Sequence, residues 1–141
     1  MRLIFLLFLM LATDPPFEGW DTLSKLKIDR QFDEILSESI DVPIFSDDLK
    51  AFDGKIIELE GYVIPLQSRA NQEYFVLSRF PYSSCFFCGN AGPETVAEVY
   101  TPETTRFKDE KVKIKGRLRL NAGSPLHLFY IIEEAEVEKV D

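Results

Sequence analysis

Histidine and cysteine are scarce in this sequence. The 141 residues include one His and two Cys. Two cysteines exclude a disulfide-dense scaffold, and a single histidine leaves no Ser-His-Asp triad with a spare imidazole. The sequence also lacks a phosphate-binding loop, a Walker motif and a paired general base and nucleophile. A binding protein is therefore expected ahead of an enzyme, although enzymatic activity stays an open question.

Positive charge is also under-represented, since the formal net charge is −8. An excess of negative charge opposes binding to phosphate backbones and to anionic lipid. One basic row is present, formed by Lys111, Lys113, Lys115, Arg117 and Arg119. An acidic row follows in the last predicted strand, formed by Glu134, Glu136 and Glu138, and the opposite face of that strand is expected to carry Ile131, Ala135 and Val137. Antiparallel pairing of these strands would place the two rows side by side, so we expect no nucleic-acid binding.

Long hydrophobic runs are absent except at the N-terminus. Arg2 precedes an apolar run over residues 3–12. This run of about 10 residues is too short to span a bilayer, which needs roughly 20. It fits the hydrophobic region of a secretory signal peptide, with cleavage near Ala12 or Thr13. We therefore expect residues 1–12 to be a signal peptide and the protein to be exported, to the periplasm or cell envelope. Membrane contact is expected only through this segment.

The rest of the composition is typical of one globular domain. Hydrophobic residues make up 45% of the chain and aromatic residues 13%, which is enough for a core. Residues 13–45 are expected to form an irregular extension that starts with a Pro- and Gly-rich tether at 13–20. Residues 26–36 fit both a strand and a helix, and Pro43 is expected to break the chain after them. Ser46 is a predicted N-cap of a short helix, with Gly54 at its C-terminal end.

From residue 46 to residue 141 the pattern predicts a small β-domain. Gly61 within the first strand permits a sharp bend or a close backbone approach. Five strands at short spacing favour a closed barrel of the OB type, because five are few for a β-sandwich. The predicted strands cover residues 55–66, 73–80, 94–101, 111–120 and 127–140.

The segment 81–94 is the most unusual part of the sequence, because it contains both cysteines in a Cys-x-x-Cys motif. One interpretation is structural, as a local disulfide between Cys85 and Cys88 or as two packed thiols. A second is a thiolate site for a soft ion, either zinc or copper. A third is thiol–disulfide exchange, which the following glycines and proline oppose because they disfavour a helix. Haem attachment is excluded, since residue 89 is Gly rather than His.

The same segment carries candidate partner-binding residues. Phe86 and Phe87 are adjacent, so both cannot easily point into one core. An exposed aromatic patch marks a partner or ligand surface. The candidate residues for partner binding are Tyr82, Phe86, Phe87 and Asn90. His127 is interpreted as a residue at a strand end rather than a ligand.

Three short motifs resemble a family of small exported bacterial proteins of unknown function. They are Asp53-Gly-Lys55, then Leu59-Glu-Gly-Tyr-Val-Ile-Pro-Leu66, and Tyr74-Phe-Val-Leu-Ser78 followed by Cys85. The resemblance implies an OB-like fold and a context near ABC-transporter or metal-uptake components. Many members carry Cys-x-His, and here Phe87 stands at the His position. Replacement of that ligand by Cys88 and a Cys85–Cys88 disulfide both stay open.

Together these patterns predict an exported envelope module that binds a protein partner through the 81–94 segment. The expected partner belongs to a transport or metal-homeostasis system. The alternative hypothesis is a thiolate metal binder through Cys85 and Cys88, and the third is thiol–disulfide exchange. The expected cofactor is accordingly either none or one zinc or copper ion.

Overall fold

The computed structural model describes residues 13–64, 72–86, 89–105 and 110–140. Over these residues the fold is mainly β, as expected, with two short α-helices, seven strands and two single turns of 3₁₀ helix. None of the helices in these ranges is long and apolar enough to cross a membrane. The elements are α1 (Trp20–Leu23), β1 (Leu26–Asp33), β2 (Glu38–Phe45), α2 (Asp47–Lys50), β3 (Ile56–Ile64), β4 (Gln72–Ser78), β5 (Val96–Thr105), β6 (Lys111–Leu120) and β7 (Tyr130–Lys139).

Strands β3 to β7 form a closed barrel in the order β3-β4-β5-β7-β6. β6 closes the barrel by pairing with β3, and β5 and β7 form the one parallel pair among the described strands. This is the connectivity of an OB-type barrel, and it confirms the predicted fold class. Because the sheet is closed, every barrel strand has a neighbour on both sides.

Strand β6 shows the alternation that the sequence predicts. Val112, Ile114 and Leu118 are buried in the barrel core, and the basic side chains point outward. Lys113 Nζ lies 3.3 Å from a carboxylate oxygen of Glu58 on β3. On the other side, Lys115 is in register with Glu136 of β7. The basic row is therefore flanked by glutamates from both neighbouring strands.

The predicted alternation in β7 is wrong in its first half. The sequence pattern placed Ile131, Ala135 and Val137 on one face, whereas the buried residues are Tyr130, Ile132 and Ala135. Glu134 has a φ of 51°, and the β6–β7 register shifts between Lys115 and Arg117. A bulge of this kind inserts one residue and reverses the parity of the strand beyond it.

Gly61 allows β3 and β4 to approach closely. A Cβ atom at this position would lie 2.6 Å from the carbonyl oxygen of Ser78 and 2.9 Å from the Leu77 side chain. Such contacts are too short for any larger residue without a backbone shift. The predicted close approach at this glycine is confirmed.

Residues 13–20 are not a tether, because they begin a cap over the barrel. Trp20 and Leu23 are buried in the same cluster as the barrel residues, and Phe17 packs against it. Trp20 Nε1 donates to the carbonyl oxygen of Glu60 at 2.6 Å, and the Tyr130 hydroxyl donates to the carbonyl oxygen of Leu23. Burial of Trp20, its hydrogen bond to Glu60 and the packing of Phe17 thus fix this segment, which its composition indicated to be a tether.

The extension that follows contains an antiparallel hairpin rather than irregular chain. β1 and β2 pair from Leu26↔Phe45 to Asp33↔Glu38. At the turn, Asp33 Oδ1 accepts hydrogen bonds from the backbone N–H groups of residues 35 and 36 at 2.8 and 2.9 Å. Only Leu26 and Phe45, at the base of the hairpin, pack against the main core.

The predicted helix cap after the hairpin is confirmed. Ser46 Oγ accepts a hydrogen bond from Leu49 N at 3.2 Å. Gly54 has a φ of 81°, but α2 already ends at Lys50, so the predicted helix is too long. The side-chain oxygen satisfies a backbone donor that the first turn of a helix leaves unpaired.

Candidate functional site

The described residues of the segment 81–94 lie against the outer surface of strands β4 and β5. Along these strands Phe75 and Val99 point into the barrel, so Val76 and Val96, at positions of opposite parity, point outward. The outward residues form a second buried cluster with Ile64 of β3 and with Cys85. Cys85 therefore anchors the segment from outside the barrel.

Backbone hydrogen bonds hold the anchored segment in a compact shape. The residues Tyr82–Ser84 form one turn of 3₁₀ helix, after which Cys85 N donates to the carbonyl oxygen of Tyr82 at 3.4 Å. Asn90 N donates back to the carbonyl oxygen of Cys85 at 3.3 Å. The Asn90 side chain donates to the carbonyl oxygen of Ser83 at 2.9 Å. Asn90, predicted to bind a partner, thus also closes this loop.

The predicted site residues differ sharply in exposure. Cys85 is completely buried, and Phe86 is half-buried against the outer cluster. Tyr82 is 54% exposed. Phe87 and Cys88 lie outside the described residues, so the Cys85–Cys88 disulfide and the thiolate metal site stay predictions. Within the described part of the chain, no three His, Cys, Asp or Glu residues are grouped to hold a metal ion.

A buried carboxylate, which the sequence did not reveal, lies on the same outer surface. Glu98 of β5 is only 4% exposed. Its Oε1 accepts a hydrogen bond from Leu128 N at 2.9 Å. Its Oε2 lies 3.0 Å from His127 Nδ1 and accepts from the Tyr100 hydroxyl at 3.1 Å. These contacts fix the loop 121–129 against the outer wall of the barrel, since buried charges persist only when they are well paired.

Two tyrosines lie beside this carboxylate. The rings of Tyr74 and Tyr100 have centroids 5.1 Å apart and are tilted by 40°. Burial, followed by the negative charge of Glu98, raises the pKa of Tyr100 to about 12. The same two causes raise the pKa of Tyr74. Both phenols stay neutral at physiological pH, so they offer a rigid aromatic surface with hydroxyl groups.

His127 is more than the strand-end residue that the sequence indicated. It lies in the loop 121–129, and its side chain is 47% exposed while Glu98 holds Nδ1. His127 and Glu98 are 29 positions apart in the chain, so no local sequence pattern predicts their contact. Glu98 alternates with apolar neighbours in a strand, a pattern that normally marks a solvated side chain.

The arrangement is suited to binding more than to acid–base chemistry. Both oxygens of Glu98 are occupied by protein groups, so the carboxylate positions its neighbours. Tyr100, which donates a hydrogen bond to it, is an aromatic residue with 37% exposure. Tyr82 also borders a cleft of about 360 Å³ together with Tyr62 and Pro81. Amphipathic aromatic residues beside a cleft are enriched at protein–protein interfaces.

No protein-family model matches the chain, and no curated protein sequence matches it significantly. The resemblance of residues 45–101 to small exported proteins therefore stays a prediction.

Proposed function

We propose that this chain is an exported binding module of the cell envelope. It holds a protein partner, belonging to a transport or metal-homeostasis system, on the surface formed by the 81–94 segment and the neighbouring tyrosines. The observation that carries the proposal is the exposure of Tyr82, 54%, on a segment whose next turn is anchored by a fully buried Cys85. An exposed aromatic residue on a rigid support loses little conformational entropy when it binds.

The surroundings of Tyr82 support a partner surface of moderate size. Tyr82 and Phe80 are exposed on either side of Pro81, and Arg79 lies 5.6 Å from the Phe80 ring centre. Tyrosine and arginine are over-represented among the residues that dominate binding energy at interfaces. Export is supported by the apolar run over residues 3–12, which follows Arg2.

The thiol alternatives fit the geometry less well. Cys85 is completely buried, whereas reactive cysteines lie in partly exposed, electropositive surroundings. A thiolate site with Cys88 for zinc or copper predicts near-stoichiometric metal on the reduced protein and its loss in Cys85→Ser. Elemental analysis of both proteins after dialysis separates this alternative from the partner-binding proposal.

Site-specific photo-crosslinking in the native host tests the proposal. A photoreactive amino acid replaces Tyr82 in one strain and Ile56 in a second. Ile56 is a matched control, because it is 52% exposed and lies at the far end of β3. We expect a discrete crosslinked product in the envelope fraction from position 82 and none from position 56. Equal crosslinking at both positions, or none at position 82, would contradict a partner surface here.

Export is tested separately by the intact mass of the chain recovered from the envelope fraction. A mass that corresponds to a chain starting near residue 13 supports export and cleavage of the signal peptide. Recovery of the intact chain, with Met1, from the cytoplasm would refute the location but leave the crosslinking result to decide partner binding.

A further inference from the structure

A groove separates the β1–β2 hairpin from the loop 121–129, on a part of the molecule that the proposed function does not use. Its volume is about 390 Å³, within the range of small-ligand sites. Apolar side chains form both walls: Leu36, Ile40 and Val42 from the hairpin, and Pro125, Leu126 and Phe129 from the loop.

Apolar exposure is concentrated around this groove. Leu126 is 83% exposed and Leu36 is 41% exposed, one on each wall. At the tip of the hairpin, Ile35 is 94% exposed and Phe32 is 66% exposed. Contiguous exposed apolar side chains of this kind mark interaction sites on proteins.

The groove follows a free strand edge. Ile40, Asp41, Val42 and Pro43 are consecutive residues of β2, and all four line the groove. Consecutive strand residues point to opposite faces, so the groove runs along the edge of β2 and not along one face. The hairpin is a separate two-stranded sheet in which β2 pairs only with β1 among the described strands. Except at Pro43, which has no N–H to donate, such an edge accepts an added strand through backbone hydrogen bonds.

The negative charge around the groove indicates which kind of partner can bind there. The hairpin carries five acidic and two basic side chains. Of the acids, Asp33, Glu38 and Asp41 line the groove, and Arg30 pairs with Asp41 at 3.2 Å. This excess of carboxylates repels a second copy of the hairpin and an anionic lipid surface. It attracts a basic segment.

We infer that the groove binds an extended basic segment of another protein, which adds a strand to the edge of β2. Alternate apolar side chains of that segment pack between Leu36 and Leu126, and its Lys or Arg side chains face Glu38 and Asp41. This surface is distinct from the surface around Tyr82, so each proposal can be refuted without affecting the other.

Fluorescence anisotropy with defined peptides tests the inference on the purified chain. The probes are ten-residue peptides that alternate Val, Leu or Ile with Lys or Arg, and the control peptides carry Glu at the basic positions. We expect the basic peptides to bind and the acidic ones not to bind. Hydrogen exchange is expected to show that the bound peptide protects amides of residues 38–42 and leaves those of 111–116 unchanged.

Matched substitutions separate the groove from general surface properties. Glu38→Lys in the groove and Glu136→Lys on β7 change the net charge equally, and both positions are exposed. Leu126→Ser in the groove and Ile56→Ser on β3 each remove one exposed apolar side chain. We expect each groove variant to weaken peptide binding about tenfold, and each control less than about twofold.

Three results would overturn the inference. The first is that none of the basic peptides binds. The second is an equal loss in the groove and control variants, which would show attraction to the acidic protein as a whole. The third is that zwitterionic phosphatidylcholine vesicles bind through Phe32 and Ile35 while the peptides do not, which would make the hairpin tip a membrane contact.

Discussion

The barrel and the β1–β2 hairpin are built from strands of similar length, 7 to 10 residues in one and 8 residues in the other. In the barrel, closure removes the sheet edges and alternate side chains fill a common core. In the hairpin, five apolar side chains are exposed to water, and the residues that join the main core, Leu26 and Phe45, lie at its base. The exposed side chains are Ile28, Phe32, Ile35, Leu36 and Ile44. Strand length and pairing are therefore not what stabilises the fold. The fold is stabilised by the burial of side chains inside the closed barrel, and the hairpin stays available for other contacts.

A matched pair of phenylalanine substitutions tests this contrast most strongly. Phe75 is 1% exposed in the barrel, whereas Phe32 is 66% exposed in the hairpin. We expect Phe75→Ala to lower the free energy of unfolding by about 4 kcal/mol, because it removes buried area and leaves a cavity. Phe32→Ala is expected to stay within about 0.5 kcal/mol. Urea unfolding followed by circular dichroism measures both, and similar losses would show that the hairpin belongs to the cooperative core.

A substitution at Glu98 has the next largest expected effect. Glu98→Ala leaves the donors of His127, Leu128 and Tyr100 without their acceptor. We expect a loss of about 2 kcal/mol in the free energy of unfolding. The control Glu136→Ala, at an exposed position of β7, is expected to change stability by less than about 0.5 kcal/mol. A Glu98→Ala protein as stable as the control would mean that loop 121–129 does not depend on this carboxylate.

The smallest expected effect is a loss of stability at alkaline pH, and it arises from a tyrosine of the barrel. The pKa of Tyr100 is raised to about 12 from an ordinary value of 10.0, because burial and the charge of Glu98 favour the neutral phenol. The folded chain thus holds this proton more tightly than the unfolded chain. The resulting stabilisation is complete below pH 10 and is lost as pH rises toward 12. We expect Tyr100→Phe to lose less stability between pH 9.5 and 11.5 than the wild type, by the urea midpoint. A parallel decline in both proteins would refute this assignment.

The hairpin supplies no counterpart to this titration, because residues 26–45 contain no tyrosine. Alkaline loss of structure is therefore expected to begin in the barrel, with near-ultraviolet absorbance of tyrosinate as the readout.

The parts of the fold that sequence could predict are those specified locally. The alternation of Val112, Ile114 and Leu118 with basic residues defines β6, and Ser46 marks the start of α2. In β2, Pro43 misled the prediction, since proline is normally excluded from paired strands. Here β2 pairs on one side only, and Pro43 lies opposite Ile28 without interrupting the hairpin.

The candidate site was predictable only in part, because its other half depends on distant residues. The composition of segment 81–94 singled out Tyr82, Phe86 and Cys85 directly. The group formed by Glu98 and His127 depends on the pairing of β5 with β7, and on the loop that precedes β7. Nothing in the residues next to Glu98 indicates that three donors converge on it from elsewhere.

The position of β7 in the barrel has a consequence for the order of folding. β7 is the last strand in the chain, yet it lies between β5 and β6 rather than at an edge. Its Tyr130 also bonds to the carbonyl oxygen of Leu23, 107 residues earlier. A chain that is still incomplete at residue 130 therefore has two unpaired strand edges and an unsecured N-terminal cap. Because pairings between distant segments form slowly, early release or C-terminal truncation exposes edges that promote aggregation.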